Sequence, residues 1–152
     1  RDPLRHRLLA GLGPEPFDPS LDGERLAAAA RGRRVAVKQF IMDQSVLVGV
    51  GNIYASESLF RAGVDPRRPA GRVGVERWRR ILDEVRAVLG EAIGQGGSTL
   101  RDYVNPDGAP GYFAQNLYVY ERAGEPCRRC GAAIRQRTQG QRSTYYCPAC
   151  QR

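Results

Sequence analysis

The chain has 152 residues, 41% of them hydrophobic, and 24 basic against 16 acidic side chains give it a formal charge of +8. That length accommodates one domain or two small ones, and the positive balance favours a polyanion such as nucleic acid as partner. No apolar run reaches the length of a membrane span, no signal peptide is expected, and no segment joins a long apolar face to a basic one. Of the basic residues all but Lys38 are Arg. Lys38 is either a leftover of an Arg-rich composition or sits where a compact ammonium is needed and a planar fork would not fit.

In chain order, residues 1–12 predict a short helix, broken by Gly13-Pro14-Glu15-Pro16. Ser20 is a candidate cap for a helix over 21–31, with Leu21 and Leu26 facing inward. Val35, Val37, Phe40 and Ile41 begin a further apolar stretch. From Met42 to Gly63 the apolar spacing predicts two short helices separated by Gly49 and Gly51. The Gly49-Val50-Gly51-Asn52 corner would open a helix with free backbone N–H groups and an amide side chain, an arrangement suited to phosphate. A close-packed corner using Gly for steric reasons explains the same residues equally well.

Trp78, Ile81, Leu82, Val85, Leu89, Ala92 and Ile93 recur every three or four residues and predict the longest helix, stopped by Gly94, Gly96 and Gly97. Residues 98–116 contain two turn signals and read as an ordered irregular loop. Residues 117–120 read as a strand, followed by candidate strands at 132–138 and 142–147. Asp43 and Glu57 are expected to fix the helix corner rather than to perform acid/base work. His6 reads as a surface residue.

The four cysteines are Cys127, Cys130, Cys147 and Cys150, two C-x2-C pairs separated by sixteen residues. This spacing predicts a four-thiolate structural zinc site on a β-hairpin, with Gly131 in a left-handed turn beneath the first pair. Two disulfides or a redox pair are the competing readings, but no βαβ pattern surrounds the pairs. Cysteines in metal spacing point to a reducing, cytoplasmic compartment. Seven arginines and one acid, Glu125, lie between residues 122 and 152. Such a hairpin suits a polyanion or simply carries a solvated basic face.

Several of these segments together resemble bacterial formamidopyrimidine-DNA glycosylase. They are Met42-Asp43-Gln44, Gly49-Val50-Gly51-Asn52-Ile53-Tyr54-Ala55, Glu57-Ser58-Leu59-Phe60-Arg61-Ala62-Gly63 and Gly96-Gly97-Ser98-Thr99-Leu100-Arg101-Asp102-Tyr103. Asp107-Gly108, Gly111-Tyr112-Phe113 and the closing Cys147-Pro148-Ala149-Cys150-Gln151-Arg152 agree in the same order. The resemblance implies a mainly α fold. A helix–two-turns–helix DNA-binding unit over 1–116 would be followed by a zinc-finger β-hairpin over 117–152.

It further implies a base-excision repair enzyme that removes oxidised purines, such as 8-oxoguanine and formamidopyrimidines, and cleaves the abasic site by β,δ-elimination. Its partner is duplex DNA carrying oxidised bases or abasic sites, from which the damaged nucleotide is everted. By the same resemblance Asn52, Arg142 and Tyr120 contact phosphate, and Lys38 lies near the binding face. The loop Ser98, Thr99, Leu100, Arg101, Asp102 and Tyr103 covers the everted base, and one structural zinc is bound by the cysteines.

The family's N-terminal proline nucleophile and its adjacent Glu have no counterpart here. The β-sandwich catalytic domain is therefore expected to be absent from this chain, which is expected to be monomeric and inactive alone. Competing readings are an endonuclease VIII-type fragment acting on oxidised pyrimidines, a structural RNA-binding protein using the same helical corner, and a zinc-ribbon interaction module.

Overall fold

The computed structural model describes residues 11–94 and 117–152. The expected loop over 98–116, His6 and nearly all of the helix expected at 1–12 lie outside them. Within the described residues the order is α1 (Gly23–Ala30), α2 (Val37–Met42), α3 (Asn52–Ala62), a 3-10 turn (Ala70–Arg72), α4 (Val75–Gly94), β1 (Arg135–Gln139) and β2 (Arg142–Tyr146). Among them no helix is long and apolar enough to cross a membrane.

Asp22, not Ser20, caps α1. Its carboxylate accepts from the Arg25 amide at 2.8 Å, whereas the Ser20 hydroxyl donates to Asp18. An N-cap must sit next to the first helical turn for its oxygen to reach the N3 amide, and α1 starts at Gly23. α2 buries Val37, Phe40 and Ile41 within its two turns. Its exit is shaped by Asp43, which accepts from the Ser45 amide at 2.9 Å and the Ser45 hydroxyl at 2.7 Å. Gly49 then adopts φ +88°, a conformation unfavourable to any side chain, and Gly51 caps α3 in an extended conformation. Of the two short helices expected between Met42 and Gly63 only α3 forms: residues 43–51 make two turns, and α2 falls on the preceding apolar stretch.

α4 packs along α1 and α3. Trp78, Ile81, Val85 and Val88 form its fully buried stripe, and Trp78 meets Phe40 with ring centroids 5.5 Å apart. Ile93, expected inward, is 63% exposed. The 3.6-residue period carries the stripe through 81, 85, 88 and 92 and turns position 93 to solvent.

The tail is an antiparallel hairpin in which Arg135 pairs with Tyr146 and Gln139 with Arg142. Residues 117–120, expected as a strand, form no strand. Their amides are taken up by a side chain of α3 instead of a neighbouring strand. Phe60, Val119, Cys127, Ile134, Tyr145 and Cys147 make a second, smaller core. α3 therefore serves both units: Leu59 fills the helical core, and Phe60, one residue on, fills that of the hairpin. At the far end of α3, the Arg152 amide donates to Gly63 O at 2.9 Å, and the buried Gln151 side chain donates to Val64 O at 2.9 Å.

Candidate metal centre and nucleic-acid interface

The two C-x2-C turns face each other below the hairpin. All four sulfur atoms lie within 4.8 Å of one another, with Cys127–Cys150 at 3.9 Å and Cys130–Cys147 at 3.5 Å. Four sulfurs around zinc at about 2.3 Å stand about 3.8 Å apart on a tetrahedron's edges, so the donor set fits that ion. The turns are also built to hold thiolates. The Arg129 amide donates to Cys127 Sγ and the Cys150 amide to Cys147 Sγ, each at 3.4 Å. Gly131 takes φ +81° and donates to Cys127 O at 2.8 Å, as expected for the residue beneath a metal turn. Bound there, zinc would cross-link the two ends of the hairpin.

Lys38, Asn52, Tyr120 and Arg142 come from α2, the start of α3, the segment before the zinc finger and the first residue of β2. The fold brings all four together. The Lys38 ammonium donates to Asn52 Oδ1, and Asn52 Nδ2 donates to the Ser143 carbonyl at 2.9 Å, bridging 91 positions of sequence. The Tyr120 ring stands edge-on to Tyr145 at 5.2 Å, and its hydroxyl lies close enough to the Asn52 side chain to feel its amide. Burial raises the Tyr120 pKa. Lys38 is only 1% exposed. Burial, reinforced by the neighbouring Arg142 charge, lowers its pKa from 10.5 to about 8.

Beside this cluster lies an open cleft of about 310 Å³ between α2, the turn before α3 and the hairpin tip, lined by Lys38, Gln44, Gly51, Gln139 and Arg142 among others. No side chain caps the N-terminus of the eleven-residue α3 that faces it. The partial positive charge of that helix end therefore adds to Lys38 and Arg142.

Not every arginine of the tail belongs to this surface. Arg122 donates to the carbonyls of Tyr118 and Pro126 at 2.6 and 2.8 Å and to Glu125 at 3.1 Å. Arg129 stacks over Phe60 and Tyr118 at 4.7 and 5.3 Å. Both staple the zinc finger, so the count of basic residues overstates the charge offered to a partner. Residues Ser98 to Tyr103, expected to cover an everted base, lie outside the described residues.

Sequence reasoning missed what holds residues 117–120. Glu57, fully buried on α3, accepts from the amides of Tyr118 and Val119 at 2.8 Å and of Tyr120 at 2.9 Å. Burial raises its pKa, opposed by the three amides and by Arg61. Of the two acids expected to fix the helix corner, Asp43 does so, whereas Glu57 holds residues 118–120 instead. An acidic residue at a helix position that the surrounding apolar pattern buries was the available signal.

These elements define a helix–two-turns–helix unit joined to a four-cysteine zinc finger. Residues 12–104 match the family model described as the formamidopyrimidine-DNA glycosylase H2TH domain, and residues 124–152 match the zinc finger found in FPG and IleRS. The chain belongs to the formamidopyrimidine-DNA glycosylase family.

It is 65% identical over 151 residues to formamidopyrimidine-DNA glycosylase of Alkalilimnicola ehrlichii, and 59% identical over 152 residues to that of Xanthomonas campestris pv. campestris strain B100. These alignments cover 99% and 100% of this chain but 54% and 56% of the relatives, so the chain spans about half their length. The crystal structure of MutM (FPG) from Thermus thermophilus superposes with a TM-score of 0.84 at 41% identity, over 99% of this chain and 58% of that one. The Lactococcus lactis Fpg in complex with DNA containing an abasic site gives 0.83 at 30% identity, over 98% and 55%.

Proposed function

We propose that this chain is the DNA-gripping part of a base-excision repair glycosylase that removes oxidised purines and cleaves the resulting abasic site by β,δ-elimination. Chemistry belongs to a catalytic half that accompanies it. Residues 1–116 form the helical DNA-binding unit, with a base-covering loop at 98–116, and residues 117–152 form the zinc finger. Lys38, Asn52, Tyr120 and Arg142 hold a backbone phosphate at the start of α3, beside the cleft that Lys38 and Arg142 line.

The observation that carries the reading is the convergence of these four side chains on one uncapped helix end. The phosphate would meet two cations, the Asn52 amide, a phenol and backbone N–H groups. Asn52 is already oriented for this role. Its oxygen is committed to Lys38, and only one of its two N–H bonds is needed for Ser143.

The test is equilibrium binding to a duplex carrying an abasic-site analogue, across a salt series. Arg142→Ala is expected to weaken binding on every sequence and to lower the salt slope by about 0.9. An unchanged affinity and slope would refute the phosphate assignment. Preference for structured RNA over duplex DNA would favour a ribosomal-type role for the same corner.

A further inference from the structure

Resting on that phosphate site, the geometry points to Glu57 as its positioning residue: we propose that the buried Glu57 carboxylate holds Tyr120 in register with Asn52, and so sets DNA affinity without touching DNA. Three consecutive amides converge on its two oxygens, one on Oε1 and two on Oε2. Runs of backbone N–H groups pointing into one concavity ordinarily take up an external anion. Here the protein supplies the anion itself.

The segment needs such a clamp. Glu121, immediately after it, is the one non-glycine residue with positive φ among the described residues, at +57°. A side chain in that conformation costs free energy and persists only where its surroundings hold it. Packing alone would not define three successive backbone units this closely. Val119 plugs the small core, but Tyr118 and Tyr120 are only partly buried. The clamp and Asn52 are on the same helix, five residues apart, so the Tyr120 backbone is referenced to the element that carries Asn52. Tyr145, edge-on at 5.2 Å, fixes the remaining rotation of the ring.

Glu57→Gln is isosteric but turns an NH2 group toward amide donors. The test is a double-mutant cycle on the zinc-loaded protein, reading affinity for abasic-analogue duplex with Tyr120→Phe as the second change. Tyr120→Phe in the wild-type background is expected to weaken binding about five-fold, the worth of one ordinary hydrogen bond. In the Glu57→Gln background it is expected to have no further effect, because the phenol has already left the phosphate site. Arg142→Ala is expected to keep its full effect in both backgrounds.

Equal losses from Tyr120→Phe in both backgrounds, or no loss in either, would overturn the inference while Arg142→Ala still weakens binding. If Arg142→Ala and Asn52→Ala also left affinity intact, the phosphate site itself would fail. Should Glu57→Gln not fold, hydrogen exchange on the wild-type protein decides. The amides of Tyr118, Val119 and Tyr120 are expected to exchange as slowly as the middle of α3, and fast exchange at all three would overturn the clamp.

Discussion

Replacing Asn52 with Ala removes one side chain that serves two neighbours. Its oxygen is an acceptor for a buried ammonium, and its nitrogen is the donor to Ser143 that ties the helical unit to the hairpin. A neutral hydrogen bond contributes about 1 kcal/mol and one to a charged group about 2 kcal/mol, so the expected loss is about 3 kcal/mol. The better helix propensity of Ala restores only about half a kcal/mol. For a chain of this size the net loss corresponds to a fall in Tm of roughly 5–10 °C. Circular dichroism melts on zinc-loaded wild-type and variant protein read it directly. With Asn52 as the proposed uncharged phosphate donor, the same substitution is expected to lower affinity for duplex DNA while the slope of log affinity against log salt stays put. A Tm within a degree or two of wild type would refute the reasoning about the bridge, and a shallower slope would refute that about charge.

Other consequences can be checked alongside. Because Lys38 titrates near pH 8 in the folded chain, DNA affinity is expected to fall as pH rises through that value, and Lys38→Met should abolish the step. Stability should move the opposite way. The folded pKa lies below the unfolded one, so the unfolded chain binds more protons between about pH 8 and 10.5, and thermal stability contributed by this group rises across that window. Phe60→Ala empties the centre of the smaller core and loses the ring under Arg129. A cost of about 3–5 kcal/mol is expected, read as a drop in denaturant midpoint. Chelating the metal should unfold the hairpin and remove DNA affinity, while α4 keeps its helical signal, since the Trp78 core contains none of the cysteines. Retained hairpin chemical shifts in excess chelator would refute it.

Much of the architecture was legible in the sequence because its signals are local. Cysteine spacing, the glycines at 49 and 51, and the period of α4 each depend on residues within a few positions of one another. What was not legible is what the tertiary fold decides. Residues 117–120 have the side chains of a strand, yet among the described residues no strand adjoins them, and Glu57 from 61 or more positions away takes the amides of 118–120. Arg122 and Arg129 count as surface charge in a composition, but the carbonyls and rings around them turn them into staples. Lys38 stood out as the sole lysine. Only packing shows that it is buried and donates to Asn52.

The most direct test of the phosphate cleft is the salt dependence of binding to an abasic-analogue duplex, measured for wild type and Arg142→Ala side by side. The account predicts steeply salt-dependent binding by the wild type, and for the variant a weaker curve whose slope is smaller by about 0.9. Superimposable curves, or wild-type binding indifferent to salt, would contradict it.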